Sequence, residues 1–360
     1  MTPNSRHPNA RHAPPRTADA QQTGATTKIS TGGAMTLNAA TASTGKVVKK
    51  PSFVEPDLDS RKSLPVPRPA RRRRRADRWS GVVWVAPALV MYAVFVLYPL
   101  GQSVQFSFYE WDGIGPATPA GLDNWKAIFT EPELFGSVIH AFVLILFYTV
   151  LPVSIGLVAA SLIRELRVGP FNTAARVVLF IPQVLPPVAA GIAWTWMFST
   201  DGLVNQSLRA VGLESFTRAW LGDFTFALPA VGIIGFWLSL GFCTVLLLSG
   251  IGKIDPSLYE AARLDGAGRV GEFFAVTLPG LRQEIAVCAT ITTIAALASF
   301  DVVQIATQGG PGYQTMVPGV EIYRLTFLEQ QVGQASALAV FLAALVLLVI
   351  WPIQRIGRHE

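Results

Sequence analysis

Six apolar runs, near residues 82 to 104, 136 to 163, 177 to 199, 226 to 251, 284 to 307 and 333 to 354, reach the length of about 20 residues that a helix needs to cross the hydrocarbon core of a bilayer. Lipid offers no partner to a backbone N–H or C=O, so such runs close their hydrogen bonds internally, as helices. The expected fold is therefore all-α, a polytopic membrane protein with six transmembrane helices. Composition agrees: 51% of the residues are hydrophobic and 14% charged, which sets a soluble globule aside. The first run follows some eighty residues and is not trailed by a small-residue cleavage site, so it reads as a retained helix.

Residues 1 to 76 differ in kind. They are rich in Pro, Ser, Thr, Ala, Gly and basic residues, and cannot bury enough apolar surface to offset the entropy of ordering. A disordered basic tail is expected there, with the six-helix domain over 77 to 360. The tail ends in Arg71 to Arg75, with Arg78 just beyond. Such a run could meet nucleic acid, but directly before an apolar helix it fits retention on the cytoplasmic side against anionic lipid, so the bilayer and not nucleic acid is the expected partner. An even number of spans returns the C-terminus to the cytoplasm. The loop charges agree: expected inner segments carry Arg164, Arg167, Arg176, Lys253, Arg263, Arg269, Arg282, Arg355 and Arg358, and expected outer loops carry Lys126, Arg209, Arg218 and Arg324.

Cys243 and Cys288 lie in or beside apolar spans and read as small packing residues, and His, Cys and carboxylates nowhere cluster at metal-ligand spacing. His140, inside the second span, is either a polar packing group or part of a pathway. Prolines fall within the spans at Pro87, Pro99, Pro152, Pro182, Pro186 and Pro187. Each removes a backbone hydrogen bond, and either kinks a helix for packing or marks a broken helix beside a cavity. Trp111, Trp125 and Trp220 in the outer loops place the membrane edge.

Between the fourth and fifth spans lies a polar loop of about thirty residues, longer than a connection requires. Asp255 followed by Pro256 reads as a helix start, with a short helix to about Asp265, a reversal at Gly266 and Gly268, and a second segment from Arg269 to Val276 presenting Phe273 and Phe274 before Leu278 and Pro279. Glu260, Ala261, Ala262, with Gly268 and Leu278, Pro279, resemble the EAA loop of permease subunits in ABC importers. The fuller pattern, Ile254, Asp255, Pro256 through Tyr259, Leu264, Asp265, Gly266 and Ala267, resembles the carbohydrate-uptake, maltose-transporter-like branch. Other segments from about residue 80 onward share the resemblance: Gly121 to Trp125; Phe180, Ile181, Pro182 with Trp194, Trp196 and Phe198; Gly202 and Asn205; Gly309, Gly310, Pro311. His140 and Ala141 depart from it where relatives often carry Asn, Thr.

The resemblance implies a type I ABC importer permease fold, MetI-like, in a bacterial plasma membrane with both termini cytoplasmic. It implies a subunit without catalytic residues, metal or cofactor of its own. ATP and Mg would sit on a partner ATPase dimer, and a second, related permease and an extracytoplasmic solute-binding protein would complete the importer. Gly250, Ile251, Gly252, Lys253 lacks the spacing and hydroxyl of a phosphate loop. By resemblance, Tyr259, Glu260, Ala261, Ala262, Asp265, Gly266 and Gly268 would couple to the ATPase: Glu260 as the charged contact, the alanines permitting close approach, the glycines setting the turn. Asp301 is the one carboxylate deep in an expected span and should face a polar cavity or a partner. With Ser299, Phe300 and Gln304 it falls where the resemblance puts sugar contacts; Phe236, Trp237, Ser239 and Phe242 are the fourth-span candidates. Aromatic faces beside amides, hydroxyls and carboxylates suit a sugar ring. The alternative is an ion- or proton-coupled carrier titrating at Asp301 and His140.

Overall fold

The computed structural model describes residues 76 to 165 and 169 to 357. The expected tail up to residue 75, its Arg71 to Arg75 cluster, Arg167 and Arg358 lie outside the described residues, as does the Arg78 side chain. Among the described residues, four helices are long and apolar enough to cross a membrane: Trp84–Phe106, Pro132–Glu165, Ala227–Ile251 and Val332–Arg355. The third expected span is a bent pair, Asn172–Val184 and Pro187–Met197, meeting at 102°. The fifth, expected unbroken over 284 to 307, is a helix Arg282–Leu297 followed by a separate short helix Asp301–Ala306. All six apolar segments are thus present, two of them broken.

The prolines explain which helices bend and which do not. Leu185 precedes Pro186, and Pro186 precedes Pro187, so two successive residues are pushed out of the α region; both are extended, at ψ of 135° and 136°. Single prolines are absorbed instead. Three wide π-type turns, Ala93–Leu97, Leu146–Val150 and Phe273–Thr277, are each followed at the second residue by a proline, Pro99, Pro152 and Pro279. A proline ring crowds the carbonyl four residues back and supplies no donor to it; one widened turn removes the clash and lets the helix continue.

The second and fourth spans approach closely over small residues. A Cβ at Gly235 would overlap the Tyr148 ring, one at Gly232 the Phe147 ring, and one at Gly156 would crowd Cys243 and Thr244. A core cluster of Leu144, Tyr148, Ala190, Val231, Ile234, Ala296 and Val320 joins the middle of the second to fifth spans to the helix Pro318–Phe327. A separate cluster joins Leu157, Cys243, Leu247, Leu281 and Cys288, where both cysteines are free, buried packing residues as expected.

Two of the loops between spans are locked by the residues that carried the resemblance there. Asn124 Nδ2 donates to the carbonyls of Ser107 (3.1 Å) and Tyr109 (2.9 Å), beside a two-stranded antiparallel hairpin, Tyr109–Glu110 with Thr118–Pro119. Buried Asn205 donates to the carbonyls of Ser199, Thr200 and Arg218, and accepts from Trp220 Nε1 at 2.9 Å. These are loop-closing roles, since a buried amide so fully bonded fixes the backbone around it.

Candidate functional site

The polar loop folds as its sequence dictates. Asp255 Oδ1 accepts from the Ser257 N–H at 2.9 Å and caps the helix Pro256–Leu264, with proline in its first turn. That hydrogen bond also holds the Asp255 carboxyl below the usual range. The helix ends in a Schellman turn: Ala267 N–H donates to Ala262 O (2.9 Å) and Gly266 N–H to Arg263 O (3.0 Å), with Gly266 at φ 84°. Gly268, expected to share the reversal, has φ −77° and ψ −179°, which any residue adopts, so the backbone turns on Gly266 alone. The following helix, Arg269–Glu272, runs into the wide turn at Phe273–Thr277.

One face of this loop is fastened and the other left free. Tyr259 is 2% exposed, its hydroxyl 3.1 Å from Thr277 Oγ1. Arg263 grips Glu272 with two hydrogen bonds, Nε to Oε1 at 2.7 Å and Nη2 to Oε2 at 3.2 Å, and stitches the two arms together. The bond lowers the Glu272 carboxyl and raises the Arg263 guanidinium. Lys253 Nζ meets Glu284 at 3.2 Å at the base of the fifth span. Outward lie Glu260, Ala261, Asp265 and Gly268, with Ala262 half-buried, flanked by Leu264 at 89% exposure, Val270 and Phe274. A helix presenting two acids, Glu260 and Asp265, one exposed alanine, Ala261, and exposed apolar side chains has the chemistry of a protein-docking surface.

The second expected site gathers at the break in the fifth span. Ser299 is buried, and its carbonyl lies where a Cβ on Gly319 would touch it at 2.9 Å. The Phe300 ring lies 5.7 Å from that of Tyr323. Asp301 is therefore not in the middle of a continuous helix: it occupies the first turn of Asp301–Ala306 and is exposed, and helix N-termini favour such a charge. Gln304 is half-buried. Trp237 packs on the same core cluster as Phe300 and stands edge-on to Trp194 at 5.7 Å. Phe242 packs on the other cluster, with Leu157 and Cys243, so it is not brought to the break; Phe236 and Ser239 are half-buried along the same helix.

His140 Nδ1 lies 2.9 Å from the Met316 carbonyl, so it fastens the second span to the loop ahead of Pro318. Sequence reasoning passed over Tyr148, whose buried hydroxyl has no hydrogen-bond partner among the described atoms. It also passed over Arg324 as anything but a loop charge, and over Arg164, whose guanidinium lies 3.6 Å above the Tyr259 ring. The Tyr148 ring lies against Gly235, Arg164 against Tyr259, and Arg324 reaches Glu133 besides its local partners, all neighbours distant in sequence.

Residues 152–359 match the family described as Binding-protein-dependent transport system inner membrane component. The chain is 32% identical over 306 residues to the diacetylchitobiose uptake system permease protein NgcF of Streptomyces coelicolor, covering 80% of this chain and 86% of that one. It is 34% identical over 304 residues to the sulfoquinovosyl glycerol transport system permease protein SmoG of Agrobacterium fabrum, covering 82% and 96%. Its fold superposes on a solved bacterial ABC transporter involved in alginate import with a TM-score of 0.65, at 23% identity, over 79% of this chain and 96% of that one. The chain thus belongs to the binding-protein-dependent transport system inner membrane components, the ABC transporter permeases, and is a membrane-spanning transport subunit rather than an enzyme.

Proposed function

We propose that this chain is the permease subunit of an ATP-driven importer for a di- or oligosaccharide or a related polyol, and forms half of the translocation pathway. The single observation that carries the coupling role is the helix Pro256–Leu264, anchored by buried Tyr259 and presenting Glu260, Ala261 and Asp265 outward. A separate ATPase dimer, holding ATP and Mg, docks there; closure of that dimer displaces the helix and with it the spans. The second permease completes the path, a solute-binding protein delivers substrate from outside, and both termini face the cytoplasm of a bacterial inner membrane. The substrates for which the two relatives are named, diacetylchitobiose and sulfoquinovosyl glycerol, support the sugar class. Ser299, Phe300, Asp301 and Gln304, with Trp237 nearby, form the pathway side of the reading; Phe236, Ser239 and Phe242 line the same span at other levels.

The ion-coupled alternative gains nothing from His140, which is engaged by a backbone carbonyl. The test is uptake of labelled oligosaccharide by cells or vesicles carrying Glu260→Lys. Reversal of the outward charge should abolish ATP-driven uptake while membrane insertion stays normal. Uptake at the parent rate would sink the docking role.

A further inference from the structure

Arg164 and Glu165 close the second span, Pro132–Glu165, and both are taken up by the polar loop. The Arg164 guanidinium covers the Tyr259 ring at 3.6 Å, and Glu165 Oε2 lies 3.4 Å from Arg269 Nη1. Tyr259 belongs to the arm before the Gly266 turn and Arg269 to the arm after it, so adjacent residues of the span hold the loop on both sides of its reversal. The Arg263–Glu272 pair fixes the two arms to each other, and Tyr259 is fixed to Thr277. A body held at two points resists tilting about either one, because pivoting on one contact stretches the other.

The regular helix of the unit so formed is bounded by two wide turns of the same make. In the second span it begins after Leu146–Val150, followed by Leu151–Pro152; in the loop it ends at Phe273–Thr277, followed by Leu278–Pro279. Helices bend where the i to i−4 ladder is interrupted, so these are the places where the unit, together with the segments packed on Leu157, can bend relative to the chain beyond them. From this geometry we infer that Arg164 and Glu165 are positioning residues: they clamp the coupling loop to the lower second span, Leu151–Glu165, so that a displacement imposed on the loop moves both as one piece. The inference rests on the loop being the ATPase contact.

The test uses the full chain in the assembled transporter, with Glu165→Cys and Arg269→Cys joined by a short, thiol-cleavable bis-methanethiosulfonate; Cys243 and Cys288 are buried and out of reach. The cross-link replaces the lost ion pair, so the expected result is that it forms and that uptake is equal to or above that of the reduced double variant. Failure of the link to form, or loss of uptake that reductant restores, overturns the clamp. In parallel, Arg164→Gln should lower the sugar carried per ATP hydrolysed about fivefold or more, the usual scale of coupling between sites, while Arg164→Lys, which keeps a cation over the ring, retains most of it. An unchanged ratio in Arg164→Gln overturns the clamp as well. Absence of ATP-driven uptake in the parent complex overturns the importer reading, and the clamp with it, before any variant is compared.

Discussion

Arg324 fastens the helix Pro318–Phe327 to its surroundings through four charge-assisted contacts. Nη2 and Nε meet Glu321 at 2.6 and 3.1 Å, Nη2 also reaches Glu133 at 3.0 Å, and Nη1 reaches Glu329 at 2.7 Å. The Glu321 side chain is 1% exposed and that of Arg324 19%. The Glu321 bond also pushes the guanidinium further up, which keeps it charged throughout the accessible pH range. Truncating Arg324 would leave a buried carboxylate without its cation, a change that costs about 3 to 5 kcal/mol. Partial exposure of the pair lets water reach the vacated space, so the lower end applies, about 3 kcal/mol. At roughly 2 to 4 °C per kcal/mol, Arg324→Gln should lower the unfolding midpoint by about 6 to 12 °C. Tryptophan fluorescence of purified protein heated in mild detergent reads the shift. Adding Glu321→Gln removes the orphaned charge, and should recover at least half of the loss. A single-variant shift under about 2 °C, or a double variant less stable than the single, would refute the reasoning.

Gly266 and Gly268 should part company. Alanine at Gly266 is strained by its φ of 84° and should cost about 1 kcal/mol, visible as faster proteolysis of the loop. Alanine at Gly268 meets open space at an ordinary φ and should leave the loop intact, so any fall in uptake from Gly268→Ala reports contact with the docked subunit; equal proteolysis of the two variants would contradict this. The Arg263–Glu272 stitch should depend on pH. Glu272 is depressed in the folded state by its bond from Arg263, so its stabilisation is complete above the unfolded carboxyl value, about 4.3, and disappears as pH falls through the lower folded value. Limited proteolysis near Gly266 should therefore be constant from pH 7 to about 5 and rise only below about 4; a rise already near neutrality would assign the loop's order to another group.

Much of this architecture was legible because local chemistry decided it. The apolar runs give the spans, Asp255 and Pro256 start the loop helix, and Gly266 ends it. The break at Ser299 and Phe300 was not legible: the run there is apolar, without proline or glycine. The helix Pro318–Phe327 brings Gly319 against the Ser299 carbonyl and Tyr323 against Phe300, a tertiary arrangement that periodicity does not register. Asp301 was the available signal, a helix-starting residue inside a span. The proline signals were ambiguous for a similar reason. Pro99, Pro152 and Pro279 look like breaks in sequence, yet each is accommodated by one widened turn, and only the Pro186–Pro187 pair bends its helix sharply. Tyr259 to Gly268 were readable as a motif, whereas Arg164, whose guanidinium lies over the Tyr259 ring, belongs to no local pattern.

Whether the exposed face of the Pro256–Leu264 helix docks an ATPase is read out by affinity purification of the tagged chain in mild detergent with mass spectrometry of its companions. An ABC ATPase and a second permease should co-purify with the parent, and Glu260→Lys should keep the permease and lose the ATPase. A chain that purifies alone, or an ATPase retained equally by Glu260→Lys, would contradict that docking.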